Sequence, residues 1–98
     1  MNRFCKQSSE EYTVAIDFDE VLDTDETITK KTITAIIHGS TGDDVTDSVI
    51  LSSAIVSRTV TIKVKNGIDG KTYKITTIIE TSADNIYEED ILMKVREI

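Results

Sequence analysis

The densest group of side chains that could carry chemistry is an acidic segment over residues 17–26. It holds six carboxylates in ten positions, namely Asp17, Asp19, Glu20, Asp23, Asp25 and Glu26. Closely spaced carboxylates on a loop suit Ca²⁺, and an EF-hand needs a ligand at its fifth position and glycine at its sixth. Counted from Asp17, these positions are Val21 and Leu22, so the EF-hand pattern fails. We interpret the segment from Asp19 onward as a solvated loop, with an irregular calcium site as the alternative.

An Asp-x-Asp motif at the start of this segment suggests a second chemistry. Residues 14–21, VAIDFDEV, resemble the first motif of the haloacid dehalogenase-like phosphatases, an apolar strand that ends in two aspartates. The resemblance would make Asp17 the nucleophile and Asp19 the general acid. Glu20 replaces the usual glycine, and that chemistry requires a larger α/β sheet with helices and further catalytic residues. We therefore predict that Asp17 and Asp19 have no catalytic role.

The other reactive side chains are isolated from one another in the sequence. His38 is the single histidine and Cys5 the single cysteine, so neither a zinc site nor an internal disulfide is expected. The spacing of Cys5 and His38 gives no support to a nucleophilic pair. A smaller acidic group, Asp43, Asp44 and Asp47, is interpreted as solvated. The sequence thus predicts no catalytic residue, no cofactor-binding residue, no cofactor and no metal site.

The charge balance excludes two classes of partner. The formal net charge is −7, from 18 acidic and 11 basic residues, and the basic residues are scattered. Binding to nucleic acid requires a cationic surface that displaces counterions from phosphates, and binding to an anionic membrane requires the same sign of charge. We therefore expect neither nucleic acid nor membrane as a partner. The start of the chain has no apolar signal-like segment, so we expect a cytoplasmic, reducing origin.

The composition predicts strands. Ile, Thr and Val occur 15, 14 and 8 times, whereas Leu occurs three times and proline and tryptophan are absent. β-Branched side chains favour pleated strands over helices. Residues with a two-residue apolar period recur about every 12 positions and are separated by short turns, which is typical of a sandwich or small barrel. The residues predicted to face inward are Val14, Ile16, Phe18, Ile33, Val60, Ile62, Val64, Tyr73, Ile75, Ile79, Met93 and Val95.

Local signals refine this prediction. Ile28 is out of phase with the row that contains Ile33, which indicates a bulge near Lys30. Residues 38–44 and 66–70 read as turns, residues 45–51 suggest a short irregular strand, and residues 54–56 are too short to assign. Acidic residues 88–90 are expected to precede the last strand. Tyr73, at the start of a late strand, has the spacing of the tyrosine corner of immunoglobulin-like domains, where the hydroxyl bonds back to the backbone. An ordinary tyrosine at a turn is the alternative.

We therefore predict an all-β, immunoglobulin-like β-sandwich of about seven antiparallel strands. Residues 12–98 form the single sandwich domain, and residues 1–11 form an N-terminal arm. The arm offers little apolar area beyond Phe4 and Cys5, so we expect a partner to order it.

A series of short phrases carries a resemblance to a known family. These are residues 17–28, with Asp-Phe, Leu and Glu-Thr-Ile; residues 66–76, NGIDGKTYKIT; residues 80–83, ETSA; and the mixed-charge end, residues 91–98. Their order resembles that of the small phage and prophage virion proteins of the fiber–tail adaptor type. Asp25 stands where that family usually has glycine, and residues 38–58 match loosely.

The resemblance implies a virion structural protein, a tail/fiber adaptor or connector subunit that acts through protein–protein contacts rather than as an enzyme. Its partners would be other virion proteins, such as tail, fiber or neck components, met in several copies within a symmetric particle assembled in the bacterial host cytoplasm. The alternative is an adhesion or ligand-binding immunoglobulin-like module. An aromatic content of 5% without tryptophan weakens a sugar-binding version of that alternative.

Overall fold

The described part of the chain contains seven strands and one helical turn. The structure is a computed structural model that describes residues 2–39 and 43–97. The strands are β1 (Asn2–Lys6), β2 (Tyr12–Asp17), β3 (Ile28–Ile37), β4 (Ile50–Val56), β5 (Thr59–Val64), β6 (Thr72–Thr81) and β7 (Ile86–Val95). The helical turn α1 (Thr46–Val49) lies between β3 and β4.

The strands form two sheets with an immunoglobulin-like order. The larger sheet has the order β1-β7-β6-β3 and the smaller one β2-β5-β4. The second, fifth and fourth strands thus face the third, sixth and seventh, as in an immunoglobulin domain, and the first strand joins the sheet that contains the last. This confirms the predicted all-β sandwich of seven strands.

One strand pair departs from the predicted antiparallel arrangement. β1 runs parallel to β7, with Asn2 opposite Ile91 and Lys6 opposite Val95. The segment between β1 and β2 carries the chain from one sheet to the other, so β1 pairs with the last strand instead of forming a hairpin with β2. Parallel strands need a long connection, and here residues 7–85 separate β1 from β7, so a search for hairpins between neighbouring strands does not detect this pair.

The core lies between the sheets and follows the predicted phase. Each of the inward rows of β5 and β6 is buried: the first contains Val60, Ile62 and Val64, and the second, which includes Ile79, extends to Thr81. Val14 and Ile33 are partly buried and pack against this core. The other residues predicted to face inward are also buried, namely Ile16, Phe18, Tyr73, Ile75, Met93 and Val95. The two-residue period therefore predicted the buried face of these strands correctly.

Two local signals are confirmed at atomic detail. The register between β3 and β6 shifts between Ile28 and Lys30, where the sequence predicted a bulge. Tyr73 is buried, and its hydroxyl accepts a hydrogen bond from the backbone N–H of Ile68 at 3.0 Å. The tyrosine therefore bonds back across the turn before its own strand. Gly67 in this turn has a φ of +103°, and a Cβ there would lie 2.5 Å from Val95 Cγ2, so both conformation and space favour glycine.

The middle of the chain differs from its predicted structure. The irregular strand predicted over residues 45–51 is replaced by α1 and the start of β4. Thr46 donates both its N–H, at 2.9 Å, and its hydroxyl, at 2.5 Å, to Asp44 Oδ1. Such local bonds give the backbone an alternative to a sheet ladder. Of the turn predicted over residues 38–44, residues 40–42 lie outside the described part.

The last strand is longer than predicted. β7 begins at Ile86, so acidic residues 88–90 belong to the strand rather than preceding it. They pair with β6, where Glu89 lies opposite Thr77 and Asp90 opposite Thr76. Asp90 Oδ2 also lies 3.6 Å from Lys74 Nζ. Polar neighbours on β6 and one ion pair thus allow the acidic residues 88–90 to lie within the strand, although their charge had suggested that they precede it.

The predicted N-terminal arm over residues 1–11 differs most from the structure. Asn2–Lys6 form β1 on the edge of the larger sheet, and the Phe4 ring contacts the Tyr12 ring edge-on at a centroid distance of 6.0 Å. Lys6 is 2% exposed, and its ammonium group donates to the carbonyl oxygens of Gln7, Ser8 and Asn66. The prediction counted apolar area and therefore overlooked backbone pairing and a buried lysine as sources of order.

Candidate interaction surface

The two aspartates of the phosphatase-like motif have partners that explain them structurally. Asp17 ends β2, and its Oδ1 accepts the backbone N–H of Asp19 at 2.8 Å. Asp19 Oδ1 accepts from Arg58 Nε at 2.5 Å. The two carboxylates thus shape the turn after β2, in agreement with the prediction that they mark a strand running into an acidic loop.

Arg58 holds the acidic loop together. It follows Ser57, which has a φ of +58°, in the hairpin between β4 and β5. Its guanidinium group donates to four backbone carbonyl oxygens of the loop, those of Asp19 at 3.3 Å, Leu22 at 2.7 Å, Asp23 at 3.0 Å and Glu26 at 3.0 Å. In this structure, these converging carbonyl oxygens therefore bind the positively charged side chain of Arg58. Nothing in the sequence pattern linked Arg58 to residues 19–26, which lie 32–39 positions earlier in the chain.

Glu26 anchors the other end of the loop from a buried position. The residue is 3% exposed, and its Oε1 accepts the N–H of Asp23 at 3.0 Å. Its Oε2 accepts from the Thr81 hydroxyl and from Asn85 Nδ2, the latter at 3.0 Å. The bond from Thr81, followed by those from Asp23 and Asn85, lowers the pKa of the Glu26 carboxyl. A negative charge at Glu26 therefore ties the acidic loop to the turn between β6 and β7.

A second buried charged group closes the end of the molecule near β1. Lys6 Nζ lies 2.7 Å from Gln7 O, 3.2 Å from Ser8 O and 2.6 Å from Asn66 O. Burial lowers the pKa of this ammonium group, although the nearby carboxylates of Glu10, Glu11 and Glu97 oppose that shift. Lys6 thus joins β1 to the turn between β5 and β6, a structural role that its type and position did not predict.

The remaining candidate residues lie apart from one another. Cys5 is exposed on β1, and His38 follows β3 with its backbone N–H donated to Thr72 O at 2.7 Å. Asp44 accepts two hydrogen bonds from Thr46 at the start of α1, and these bonds lower the pKa of the Asp44 carboxyl. Among residues 2–39 and 43–97, no three His, Cys, Asp or Glu side chains form a group that could hold a metal ion. No helix in this part of the chain has the length and apolarity needed to cross a membrane.

Four strands lie at sheet edges, and they differ in charge. β1 carries Arg3 and Lys6, and β3 carries Lys30 and Lys31. β2 ends in Asp17, whereas β4, with the sequence ILSSAIV, has no charged residue. Edge strands present unpaired backbone donors and acceptors to neighbouring chains. The surface that the geometry best equips for contact is therefore the set of sheet edges, which suits a protein partner.

A comparison with known families assigns the chain to a family. The model of the family described as podophage GP4 fiber-tail adaptor protein gp77 matches residues 6–94. The chain belongs to this family. It is therefore a phage fiber-tail adaptor protein, a structural component of the virion, and the resemblance noted from the phrases at residues 17–28, 66–76 and 80–83 is confirmed. A search of curated proteins found no match.

The match covers nearly the whole of both sheets. It begins at Lys6, the last residue of β1, and ends at Lys94, one residue before the end of β7. Residues 38–58, which resemble the family loosely, fall inside the matched range and contain α1 and β4.

Proposed function

We propose that this fiber-tail adaptor acts only through protein–protein contacts, as a connector subunit between tail and fiber components. The observation that carries the proposal is the family match over residues 6–94. The geometry supports the proposal, because the charged side chains of Arg58, Glu26 and Lys6 all form hydrogen bonds within the chain. In this proposal the chain is not an enzyme and needs no cofactor, nucleic acid or membrane.

The proposal extends to assembly. Several copies surround a symmetric particle that is built in the bacterial host cytoplasm, and each copy contacts its neighbours through sheet edges. A β-sandwich suits this role since its free edges accept strands from neighbours without any change in the core. In this assembly residues 12–98 are the sandwich domain, and residues 1–11 are the N-terminal arm, whose strand β1 lies at the edge of the larger sheet and contacts neighbouring virion proteins there.

A complementation experiment tests the proposal. Phage in which this gene is disrupted should produce particles without fibers, and wild-type protein supplied in the host should restore them. Asp17→Asn should restore fibers equally well, because Asp17 shapes a turn and has no chemical task. Particles that keep their fibers without the gene would contradict the adaptor role. Loss of complementation by a folded Asp17→Asn protein would contradict the absence of catalysis.

A further inference from the structure

The turn between β5 and β6 contains an asparagine that is followed by glycine. The chain has three asparagines, Asn2, Asn66 and Asn85, and of these only Asn66 precedes a glycine, Gly67. Asn66 is exposed and has a φ of +50°, and Gly67 has a φ of +103°. Because glycine has no Cβ, nothing on Gly67 itself blocks the approach of its backbone nitrogen to the preceding side chain. The sequence thus permits attack of this nitrogen on the Asn66 side-chain amide.

The hydrogen bonds of this turn fix the Asn66 carbonyl and leave free the groups that such an attack needs. Asn66 O accepts from Lys6 Nζ at 2.6 Å, and the N–H of Ile68 donates to the Tyr73 hydroxyl at 3.0 Å. Within residues 2–39 and 43–97, no group accepts the Gly67 N–H or bonds to the Asn66 side-chain amide. Asn66 and Gly67 also line a surface cleft, so water has access to both.

A second pair of the same sequence type lies in this turn, but its reacting groups are held. In Asp69–Gly70 the Gly70 N–H donates to Val95 O at 2.9 Å, and Asp69 Oδ1 accepts the N–H of Glu97 at 3.0 Å. A nitrogen and a carboxylate that are both bonded elsewhere cannot meet without breaking these bonds. The structure therefore separates the two pairs, although the sequence presents them alike.

The other two asparagines are also held in place or followed by larger residues. Asn85 Nδ2 donates to Glu26 Oε2 at 3.0 Å, and the next residue, Ile86, is β-branched and crowds its own backbone nitrogen. Asn2 belongs to β1, where its backbone is paired with β7 at Ile91. In the folded chain, Asn66 is thus the asparagine whose side chain and following nitrogen are both unrestrained.

We infer that Asn66–Gly67 is a site of spontaneous covalent modification, where the chain forms a succinimide that Lys6 directs to open as isoaspartate. The Gly67 nitrogen bonds to Asn66 Cγ, the bond from Cγ to Nδ2 breaks, and the Gly67 proton leaves with Nδ2 as ammonia. Attack within one chain is favoured because the reacting groups are already adjacent. Water then adds OH to one ring carbonyl carbon and H to the Gly67 nitrogen. Addition at the former backbone carbonyl of Asn66 routes the chain through Cγ and leaves that carbonyl as a carboxylate.

Lys6 favours this one of the two products. Its ammonium group is buried and donates to Asn66 O, so it polarises the backbone carbonyl and stabilises the negative charge that develops there when water adds. The carbonyl formed at Cγ has no such donor among the contacts of the turn. The new carboxylate lies where Lys6 now bonds to a carbonyl oxygen, which turns this contact into an ion pair. The modification adds one negative charge to the net charge of −7, at the contact that joins β1 to the turn.

Peptide mass spectrometry of the purified full chain tests the inference. Folded protein and protein unfolded in urea are incubated in parallel at mildly alkaline pH and then digested. In the folded sample, the peptide with Asn66 should gain the mass of an amide replaced by an acid, while those with Asn2 and Asn85 stay unchanged. Fragmentation that distinguishes isoaspartate from aspartate should give a ratio of the two about threefold or more higher in folded than in unfolded protein. Asn66→Gln, which cannot form the same ring, should keep its mass.

A matched pair of lysine variants tests the part played by Lys6. Lys6→Met should lower the ratio of isoaspartate to aspartate to that of the unfolded chain, whereas Lys65→Met, beside Asn66 in sequence, should keep the wild-type ratio. If Lys6→Met does not fold, the comparison of folded with unfolded wild type is sufficient. An unchanged Asn66 in folded protein after the unfolded chain has reacted, or equal ratios in the two samples, would overturn the inference. The adaptor role would stand in that case, because it is tested on particles and not on the isolated chain.

Discussion

Arg58 shows how one side chain determines the conformation of an entire loop. Its guanidinium group bonds to carbonyl oxygens of residues 19–26 and to the Asp19 carboxylate. The planar fork of donors suits several carbonyl oxygens at once, which a lysine ammonium group cannot match. The acidic residues around it would otherwise repel one another.

Replacement of Arg58 by methionine should lower the free energy of unfolding by about 1–3 kcal/mol, since it leaves these carbonyl oxygens without a donor. Arg96→Met, at an exposed arginine after β7, is the control and should change stability by less than about 0.5 kcal/mol. Urea denaturation measures both. Equal stability of the Arg58 variant and wild type would mean that solvent replaces the arginine without cost.

Glu26 makes stability depend on pH in a defined direction. Its pKa is lowered in the folded state by the bonds from Thr81, Asp23 and Asn85, from an ordinary value of 4.5. The ionised form therefore stabilises the fold above pH 4.5, and this contribution is lost as the pH falls through the lower pKa of the folded state.

Glu26→Gln should be less stable than wild type near neutral pH and should lose less stability on acidification below pH 4.5. Glu20→Gln, the same change at an exposed position, should follow the wild-type profile. Thermal unfolding across this range measures the effect. Parallel pH profiles for wild type and Glu26→Gln would show that the buried carboxylate is not the group that titrates.

At the scale of elements, β5 is the central strand of the smaller sheet and carries the clearest alternation. Val60, Ile62 and Val64 are each 0% exposed, and β5 pairs with both β2 and β4. Ile62→Ala should lower the free energy of unfolding by about 2–5 kcal/mol, because it removes buried methyl groups and leaves a cavity. Ile68→Ala, at an exposed position, should cost less than about 0.5 kcal/mol. Near-equal losses in chemical denaturation would contradict the assigned phase.

The sequence predicted that a partner must order the N-terminal arm, whereas the structure contains a paired strand there, β1. It pairs with β7 alone, yet Phe4 packs on Tyr12, and Lys6 O accepts the N–H of Arg96 at 2.9 Å. Hydrogen exchange on the isolated chain should therefore show protected β1 amides, with weaker protection than in β5. Exchange as free as that of an unstructured peptide would contradict a docked β1 and favour the arm predicted from composition.

The elements that could be predicted from sequence are those whose order comes from apolar alternation. The rows through Ile62 and Ile75 were predicted in the correct phase, as was the bulge near Lys30. The strand predicted over residues 45–51 overlaps β4 only at its start, because the apolar residues of β4 do not alternate. The helical turn α1 was not predicted, since the bonds from Thr46 to Asp44 beside it leave no periodic signal in the sequence. The contacts of Arg58 and Lys6 join residues far apart in the chain, and a single sequence carries no local signal for such pairs.

At the scale of the whole molecule, an immunoglobulin-like sandwich of the fiber-tail adaptor family explains both the composition and the surface. β-Branched residues fill a core between two sheets, while charge is concentrated in an acidic loop and in most strand edges. In the proposed role, such a module supplies the virion with a stable unit whose sheet edges and loops contact neighbouring virion proteins.

Electron cryo-microscopy of the intact phage particle that encodes this chain tests the central claim most directly. The account predicts density for a sandwich of four- and three-stranded sheets where fiber meets tail, repeated around the symmetry axis, with strand edges against neighbouring proteins. A purified, infectious particle that carries its fibers but has no density or peptide mass for this chain would contradict the account.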